Sequence, residues 1–246
     1  MRKLIFHLLS IGTIIALWQI SAAVIATPLI LPSCSAVVTR LFTLATTDSF
    51  WQNVLATLTR VFFAFALSVV LGATLGFFSG IFPSVRAFFA FPLSLIRTVP
   101  VVSLILIAVF VFQSTAVPIF AAVLMALPVM TNAVSASFDF SESDKKNLDM
   151  ARVFGFTKRQ IFRFVLVPKM KTNVASGLIS VFGMTWKVVA AGEVLSLPKK
   201  ALGSLLQTAQ VHLETTDVYA YSLAIVILSF VLESLAKLLV KKGLAS

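Results

Sequence analysis

The chain has 246 residues, of which 59% are hydrophobic and only 12% are charged, and its mean hydropathy is +1.02. Soluble domains are about 45–50% apolar and about 25% charged, so this composition excludes an ordinary soluble domain and predicts a polytopic membrane protein. The net charge of +11 does not indicate nucleic-acid binding, because the cations lie at the ends of apolar stretches and in one loop. Cys34 is the single cysteine, so an intrachain disulfide is impossible and a thiolate metal site is not indicated.

The apolar stretches predict an all-α polytopic bundle of about six transmembrane helices. A membrane-spanning helix needs about 20 apolar residues, and the stretches that qualify are 4–26, 54–78, 87–112, 117–138, 172–197 and 218–240. Basic residues precede the first stretch, follow the last and fill the loop 139–171, so we expect both termini and this loop in the cytoplasm. Residues 1–246 are expected to form one transmembrane domain.

The first stretch has an alternative interpretation as a signal peptide. Arg2 and Lys3 precede an apolar run that ends in small residues near Ala26, which is typical of a cleaved leader. The run is longer than the usual core of about 7–15 residues, and further apolar stretches follow it. We therefore expect an uncleaved first span.

The connection at 27–53 is expected to lie on the outer side and to contain a short helix. Ser33 can cap its N-terminus, and Val37, Leu41 and Leu44 recur at helical spacing. An apolar face of this kind predicts a helix lying along the membrane surface. Further on, Gly72, Gly76 and Gly80 form a ridge of small residues that favours close helix packing.

The loop at 139–171 holds eight of the twenty Lys and Arg residues and is predicted to be folded. Ser141, Ser143 or Asp144 can cap a helix that ends at Gly155, where a positive φ is expected. Thr157 and Gln160 then have the spacing of a capping box that opens a second helix, which Pro168 is expected to close. The sequence thus predicts a helix, a glycine hinge and a second helix.

Charged residues inside the apolar stretches are candidates for function, because such charges are costly in a bilayer. Arg60 and Arg97 are close enough to predicted span ends to extend toward water. Lys187 is deeper, and it either faces a central pathway or bonds backbone carbonyls of a neighbouring helix. Six residues separate it from Glu193, which puts the two on different helix faces.

The sequence contains few residues that could form the active site of an enzyme. His7 and His212 have no metal-ligand spacing, and no glycine-rich phosphate loop is present, so neither a metal nor a bound nucleotide cofactor is expected. The energy for any transport would come from a partner or from an ion gradient.

The basic loop resembles the signature of inner-membrane permeases of bacterial ATP-binding-cassette importers: E-A-A, three residues, G, nine residues, I, one residue, L-P. Asp149-Met150-Ala151 stands at the first position, Gly155 at the second, and Val165 and Val167-Pro168 at the last. Asp149 and Met150 depart from the consensus, and the spacing fits throughout.

Other segments resemble the nitrate/sulfonate/taurine branch of these permeases. The residues that carry this likeness are Leu31-Pro32-Ser33, Arg97-Thr98-Val99-Pro100, Trp186-Lys187 with Glu193, and Ala201-Leu202-Gly203. The resemblance implies a type I importer permease in the bacterial inner membrane, with Arg97, Trp186, Lys187 and Glu193 as candidates for the substrate pathway. The branch handles small sulfonates, nitrate-like anions and vitamin precursors, and the residues do not distinguish among them.

The resemblance also implies partners: a second permease copy or paralogue, two cytoplasmic ATPases, an external substrate-binding protein and membrane lipid. The first loop helix would then dock on an ATPase. Its apolar anchors would be Leu148, Ala151, Phe154 and the neighbouring Phe156, and Arg152, Lys158 and Arg159 would pair with carboxylates of the ATPase. In the alternative interpretation this apolar face packs under the bundle. The competing function is an autonomous secondary transporter or channel, and an intramembrane enzyme comes third.

Overall fold

The computed structural model describes residues 2–139, 146, 149–151 and 153–245. These residues are almost entirely helical and contain no strand, which confirms the predicted all-α class. In chain order the helices are α1 (Arg2–Ile25), α2 (Cys34–Ala45), α3 (Asp48–Ile81), α4 (Pro83–Thr98), α5 (Val101–Val111), α6 (Val117–Ser135), α7 (Lys158–Ile161), α8 (Val167–Ser196), α9 (Leu202–Val211) and α10 (Thr215–Ala245).

Within the described residues, four helical stretches are long and apolar enough to cross a membrane. They are Asp48–Ile81, Val117–Phe138, Arg159–Ser196 and Thr215–Val240, and the α4–α5 pair would make a fifth if it forms one span. The apolar part of α1, Leu9–Ile25, is 17 residues long. A polytopic helical membrane protein is therefore confirmed, and the sixth span in α1 stays a prediction.

The third predicted span is not one straight helix. The axes of α4 and α5 differ by 100° at the break between Thr98 and Val101. Pro100 has no N–H to continue the helix, and the residue before a proline avoids helical backbone, as Val99 does with φ −71° and ψ 127°. The prediction of a continuous helix over 87–112 was wrong for this reason.

The helix α6 is the centre of the bundle and packs along α3 and α8. The glycine ridge of α3 faces α6, and the close helix packing predicted for it is confirmed. A Cβ on Gly72 would lie 2.6 Å from Met130 Cβ, and one on Gly76 would lie 2.5 Å from the Thr131 carbonyl oxygen. These two helices therefore approach more closely than any larger side chain would allow.

The helix α2 begins as predicted, with the Ser33 hydroxyl accepting from Ala36 N at 3.2 Å. Its apolar face packs against protein, because Val37 and Leu44 are buried in a cluster with residues of α3, α9 and α10. Arg40 binds Asp217 of α10 through two hydrogen bonds of 2.5 and 2.7 Å, and this contact raises the pKa of the guanidinium. The predicted helix therefore exists, and its apolar side covers the bundle.

The second loop helix does not end at Pro168. After α7, residues Phe162–Leu166 form a turn of π-helix, in which Val167 N donates to Phe162 O, and α8 follows directly. Pro168 is the second residue of α8 and has no N–H to donate, and it directly follows the π-turn, which already departs from the regular α-helical hydrogen-bond pattern. The helix continues through Pro168 after the π-turn, so the prediction that Pro168 closes it was wrong.

Candidate functional site

The loop between α6 and α8 turns at Gly155, the only described glycine with a positive φ, at 76°. Phe156 N donates to Ala151 O at 3.0 Å, the bond that closes a helix whose C′ residue is left-handed. Thr157 N donates to the Gln160 side chain at 2.8 Å, and Gln160 N donates to the Thr157 hydroxyl at 3.3 Å. The predicted glycine turn and capping box are confirmed, whereas the proposed caps Ser141, Ser143 and Asp144 lie outside the described residues.

Apolar side chains around this turn are exposed, and we call Met150, Val153, Phe154 and Phe156 the loop surface. Phe154 is 74% exposed, while Ala151, on the preceding turn, is only 8% exposed. Ala151 is thus already covered within the chain and does not share an exposed face with Phe154. Leu148 and Arg152, predicted to belong to the same contact, lie outside the described residues.

The two ends of the loop are held together at the base of the bundle. The Lys169 ammonium donates to the Asp139 carbonyl oxygen, and Asn173 Nδ2 donates to Ser137 Oγ at 3.3 Å. The Asp139 carboxylate also pairs with Arg86 of α4 at 2.7 Å. The loop is therefore tied to α4, α6 and α8 near its attachment points.

Near the other end of α8, Glu193 is completely buried and belongs to a network that joins three helices. Its Oε1 lies 2.8 Å from Arg60 Nη1, and its Oε2 accepts from the Thr57 hydroxyl at 2.9 Å. Gly203 N of α9 also points at Oε2, at 3.3 Å. Nearly every acceptor site of this carboxylate is thereby occupied inside the chain.

The same network holds the connection from α8 to α9. Arg60 Nη2 donates to Lys200 O at 2.8 Å, and Leu202 N donates to the Thr57 hydroxyl at 3.0 Å. A Cβ on Gly203 would lie 2.6 Å from Glu193 Cβ, so only glycine fits there. We call Thr57, Arg60, Glu193 and Gly203 the outer clasp, because the predicted orientation would put them on the outer side. Sequence reasoning treated Arg60 and Glu193 as separate candidates and missed that they form an ion pair.

Trp186 and Lys187 have different environments, although they are adjacent. Trp186 is buried against α3, α5 and α6, and no described residue accepts from its Nε1. Lys187 is exposed on a groove of about 470 Å³ between α8 and α10, which Gly183 and Glu233 also line. Lys187 forms no hydrogen bond or ion pair within the described part of the chain, and it points away from Glu193, as predicted.

Arg97 lies in the last turn of α4, beside α6. Its Nη2 donates to Pro128 O at 3.2 Å, and its Nη1 lies 3.1 Å from the Asn132 amide, whose oxygen accepts when turned toward it. Among the described residues, the hydrogen-bond partners of Arg97 are therefore in α6, and they include neither Lys187 nor the outer clasp. The described residues contain no cluster of three metal-binding side chains.

Comparison with known proteins gives a consistent result. The taurine transport system permease protein of Escherichia coli is 29% identical over 238 residues, which cover 92% of this chain and 84% of the relative. A probable ABC transporter permease protein of Brucella melitensis biotype 1 is 25% identical over 229 residues, which cover 93% and 92%. A putative ABC transporter permease protein of Methanocaldococcus jannaschii is 23% identical over 239 residues, which cover 94% and 84%.

A family match defines the class of the chain. Residues 68–242 match the family of the binding-protein-dependent transport system inner membrane component, which is more than half of the sequence. Proteins of this class are multi-pass transport permeases of the inner membrane, not enzymes, and they act with ATPase and binding-protein partners. The chain belongs to this family of inner-membrane permeases of ABC importers, and it is of the nitrate/sulfonate/taurine type.

Proposed function

We propose that this chain forms the translocation pathway of an ATP-driven importer for a small solute with an anionic group, delivered by an external binding protein. It would work as a pair with a second permease copy or paralogue, on two cytoplasmic ATPases. The observation that carries the proposal is the loop surface, four apolar side chains exposed beside a defined turn. Exposed apolar side chains next to cations are what a docking contact with a soluble partner needs.

The loop is suited to transmit movement. A continuous helical path runs from Arg159 to Ser196, and 38 residues at helical rise extend about 57 Å. This path begins three residues after Phe156 of the loop surface and ends beside Glu193 of the outer clasp, so it connects the two regions through one helical segment that includes the π-turn. In our proposal, ATPase closure moves the loop and thereby reorients α8 and the helices that the clasp attaches to it.

The candidate pathway residues then separate into two roles. Glu193 and Trp186 are buried within the protomer, so we assign them to positioning of the helices and not to contact with the solute. Lys187 is exposed in a groove and forms no ion pair with a carboxylate in the described chain. We propose that Lys187 faces the partner permease and the pathway, where it attracts an anionic group of the solute.

The substrate class is inferred from the free cations and from one relative. The relative from Escherichia coli is a taurine transport system permease protein, and taurine is a sulfonate. Lys187 and Arg97 both lack a carboxylate partner among the described residues, and this supports an anionic solute over a neutral vitamin precursor. We propose that the transported solute is a sulfonate-class anion. We also propose that both termini of the chain lie in the cytoplasm.

Reconstitution tests the proposal. The permease is placed in vesicles with its ATPase and binding protein, and uptake of radiolabelled taurine is measured with and without ATP in the compartment that holds the ATPase. Uptake that needs both ATP and the binding protein supports the importer. Uptake that proceeds in the absence of the ATPase would instead favour an autonomous transporter or channel.

A further inference from the structure

A second polar feature lies at the opposite end of the bundle from the outer clasp. A cleft of about 380 Å³ opens between the end of α3, helix α4 and the second half of α6. We call it the inner cleft, and the residues that carry the argument are Ser79, Arg86, Arg97, Thr131, Asn132 and Asp139. We propose that the inner cleft binds an oxyanion group of the sulfonate, sulfate or phosphate type through Arg97.

The first argument is charge. The inner cleft holds two arginines and one carboxylate, and that carboxylate, Asp139, is already paired with Arg86 at 2.7 Å. No described carboxylate is in ion-pair contact with Arg97, whose partners are the carbonyl of Pro128 and the amide of Asn132. The Arg97 side chain is exposed, and its positive charge has no carboxylate in ion-pair contact among the described residues, so it is available to an anion in the cleft.

The second argument is unused donors. Thr131 and Ser79 are only 1% and 4% exposed, line the inner cleft, and have hydroxyls without a hydrogen-bond partner. Helical Ser and Thr commonly donate to the carbonyl four residues earlier, as Ser68 does to Ala64 O at 2.7 Å. Buried hydroxyls that do not do so need another acceptor, and an oxyanion supplies several.

The third argument is geometry. A guanidinium presents N–H groups in a planar fork that matches two oxygens of a sulfonate or phosphate, and Asn132 adds an amide beside it. Arg86 and Asp139 also line the cleft, and Asp139 is the residue whose carbonyl accepts from Lys169 of the loop attachment. Asp139 therefore both lines the cleft and anchors the loop attachment.

Two sources could supply such a group: a free anion in the water on the inner side, or the phosphate of an anionic lipid headgroup. The chemistry at Arg97 is the same for both. The inference needs neither ATP nor uptake, so binding can fail while the importer proposal stands, and the reverse also holds.

The test uses the full-length permease with its ATPase in nanodiscs of phosphatidylcholine alone. Sodium sulfate and sodium phosphate are titrated, with sodium chloride of equal ionic strength as the reference. The rise of the thermal unfolding midpoint with anion concentration gives the apparent Kd. Loss of a charged hydrogen-bonding group should make binding by Arg97→Gln about tenfold weaker. Thr131→Val keeps the shape of the side chain and removes the hydroxyl, so its affinity for sulfate should fall by about threefold or more.

The controls are matched in chemistry. Lys199→Gln removes an exposed cation far from the cleft, and Thr74→Val removes an exposed hydroxyl that is bonded to Val70 O. Both should bind sulfate like the unchanged protein. If Arg97→Gln does not fold, as judged by its circular dichroism and elution, Arg97→Lys and Thr131→Val carry the test.

A second arm identifies the source. In nanodiscs that contain phosphatidylglycerol, retained lipid is counted by native mass spectrometry. A lipid source predicts that phosphatidylglycerol is retained through Arg97 and suppresses the effect of sulfate, whereas a free anion predicts equal sulfate binding in both lipids. The proposal is overturned if sulfate and phosphate stabilise no more than chloride and no phosphatidylglycerol is retained. The proposal is also overturned if Arg97→Gln and Thr131→Val both bind sulfate as tightly as the unchanged protein.

Discussion

Arg60 and Glu193 are 133 residues apart in the chain and form an ion pair of 2.8 Å in which the carboxylate is fully buried. The pair joins α3 to α8, and Arg60 extends the contact to the backbone of Lys200 before α9. A buried pair of this kind contributes little net stability compared with apolar residues, but removal of one partner leaves the other charge uncompensated. Its role is to specify how three helices meet.

Replacement of this carboxylate should destabilise the fold. Glu193→Gln keeps the side-chain shape and leaves Arg60 with its charge and no counter-ion, at an expected cost of about 2–4 kcal/mol. The midpoint of thermal unfolding in detergent should fall clearly, and the double variant Arg60→Gln/Glu193→Gln should recover part of the loss.

The control for this prediction is Glu233→Gln, which breaks the more exposed pair with Lys237 and should cost at most about 1 kcal/mol. Equal midpoints for Glu193→Gln and the unchanged protein would show that the clasp does not hold the helices.

Close packing of α3 on α6 gives a second prediction. In Gly76→Ala the new Cβ would lie 2.5 Å from the Thr131 carbonyl and 2.8 Å from Val134 Cβ, so the helices must separate. We expect a loss of about 1–3 kcal/mol, the usual range for overpacking. Gly12→Ala is the matched control, because nothing lies within 4 Å of its new methyl group. The packing argument fails if both variants unfold at the same temperature.

Local signals in the sequence predicted local structure well. The Ser33 cap, the Thr157–Gln160 box and the positive φ of Gly155 depend on a few neighbouring residues, and the structure has all three. Proline was harder to interpret. Pro100 separates two helices at 100°, whereas Pro128 lies inside α6, because packing on both sides decides whether a helix survives a missing hydrogen bond.

Long-range relationships were not available from the sequence. The pairing of Arg60 with Glu193 depends on how α3 and α8 pack, and no local pattern encodes it. Similarly, Ala151 and Phe154 have the spacing of one helix face, yet one is buried and the other exposed. The helix ends between them, and spacing predicts a shared face only while the helix continues.

Orientation in the membrane is a third prediction. After Cys34→Ser removes the native thiol, single cysteines at Thr157 and Lys199 should react with a membrane-impermeant maleimide from opposite sides, Thr157 only from the cytoplasmic side. Both positions are exposed and are joined by the helical path of α8. Labelling of the cysteine at position 157 from outside intact cells would show that the chain has the opposite orientation.

The turn at Gly155 gives a fourth prediction. Nothing lies within 4 Å of a Cβ at this position, so any effect of substitution comes from the φ of 76° alone. Gly155→Asn should retain most ATP-dependent uptake, because asparagine tolerates left-handed backbone, whereas Gly155→Val should abolish it. Both variants should insert normally, as measured by their yield in membranes. Normal transport by Gly155→Val would mean that the turn is not needed for coupling.

The last prediction concerns docking of the ATPase on the loop surface. Phe154 is 74% exposed beside the turn, and no described part of the chain covers it. If an ATPase covers it in the complex, Phe154→Asp places an unpaired charge in that contact and should release the ATPase, while the helices still insert. Pull-down of the ATPase in detergent measures this directly.

Two further variants make the docking result specific. Val211→Asp, at an exposed apolar position near the other end of the bundle, should retain the ATPase at the stoichiometry of the unchanged protein. Ala151→Asp changes a buried position, so we expect it to disturb the loop itself and to lower the yield of folded permease. Release of the ATPase by Phe154→Asp at normal yield would therefore identify a contact surface, since the fold is intact. Full retention by Phe154→Asp would show that the loop surface is not where the ATPase binds.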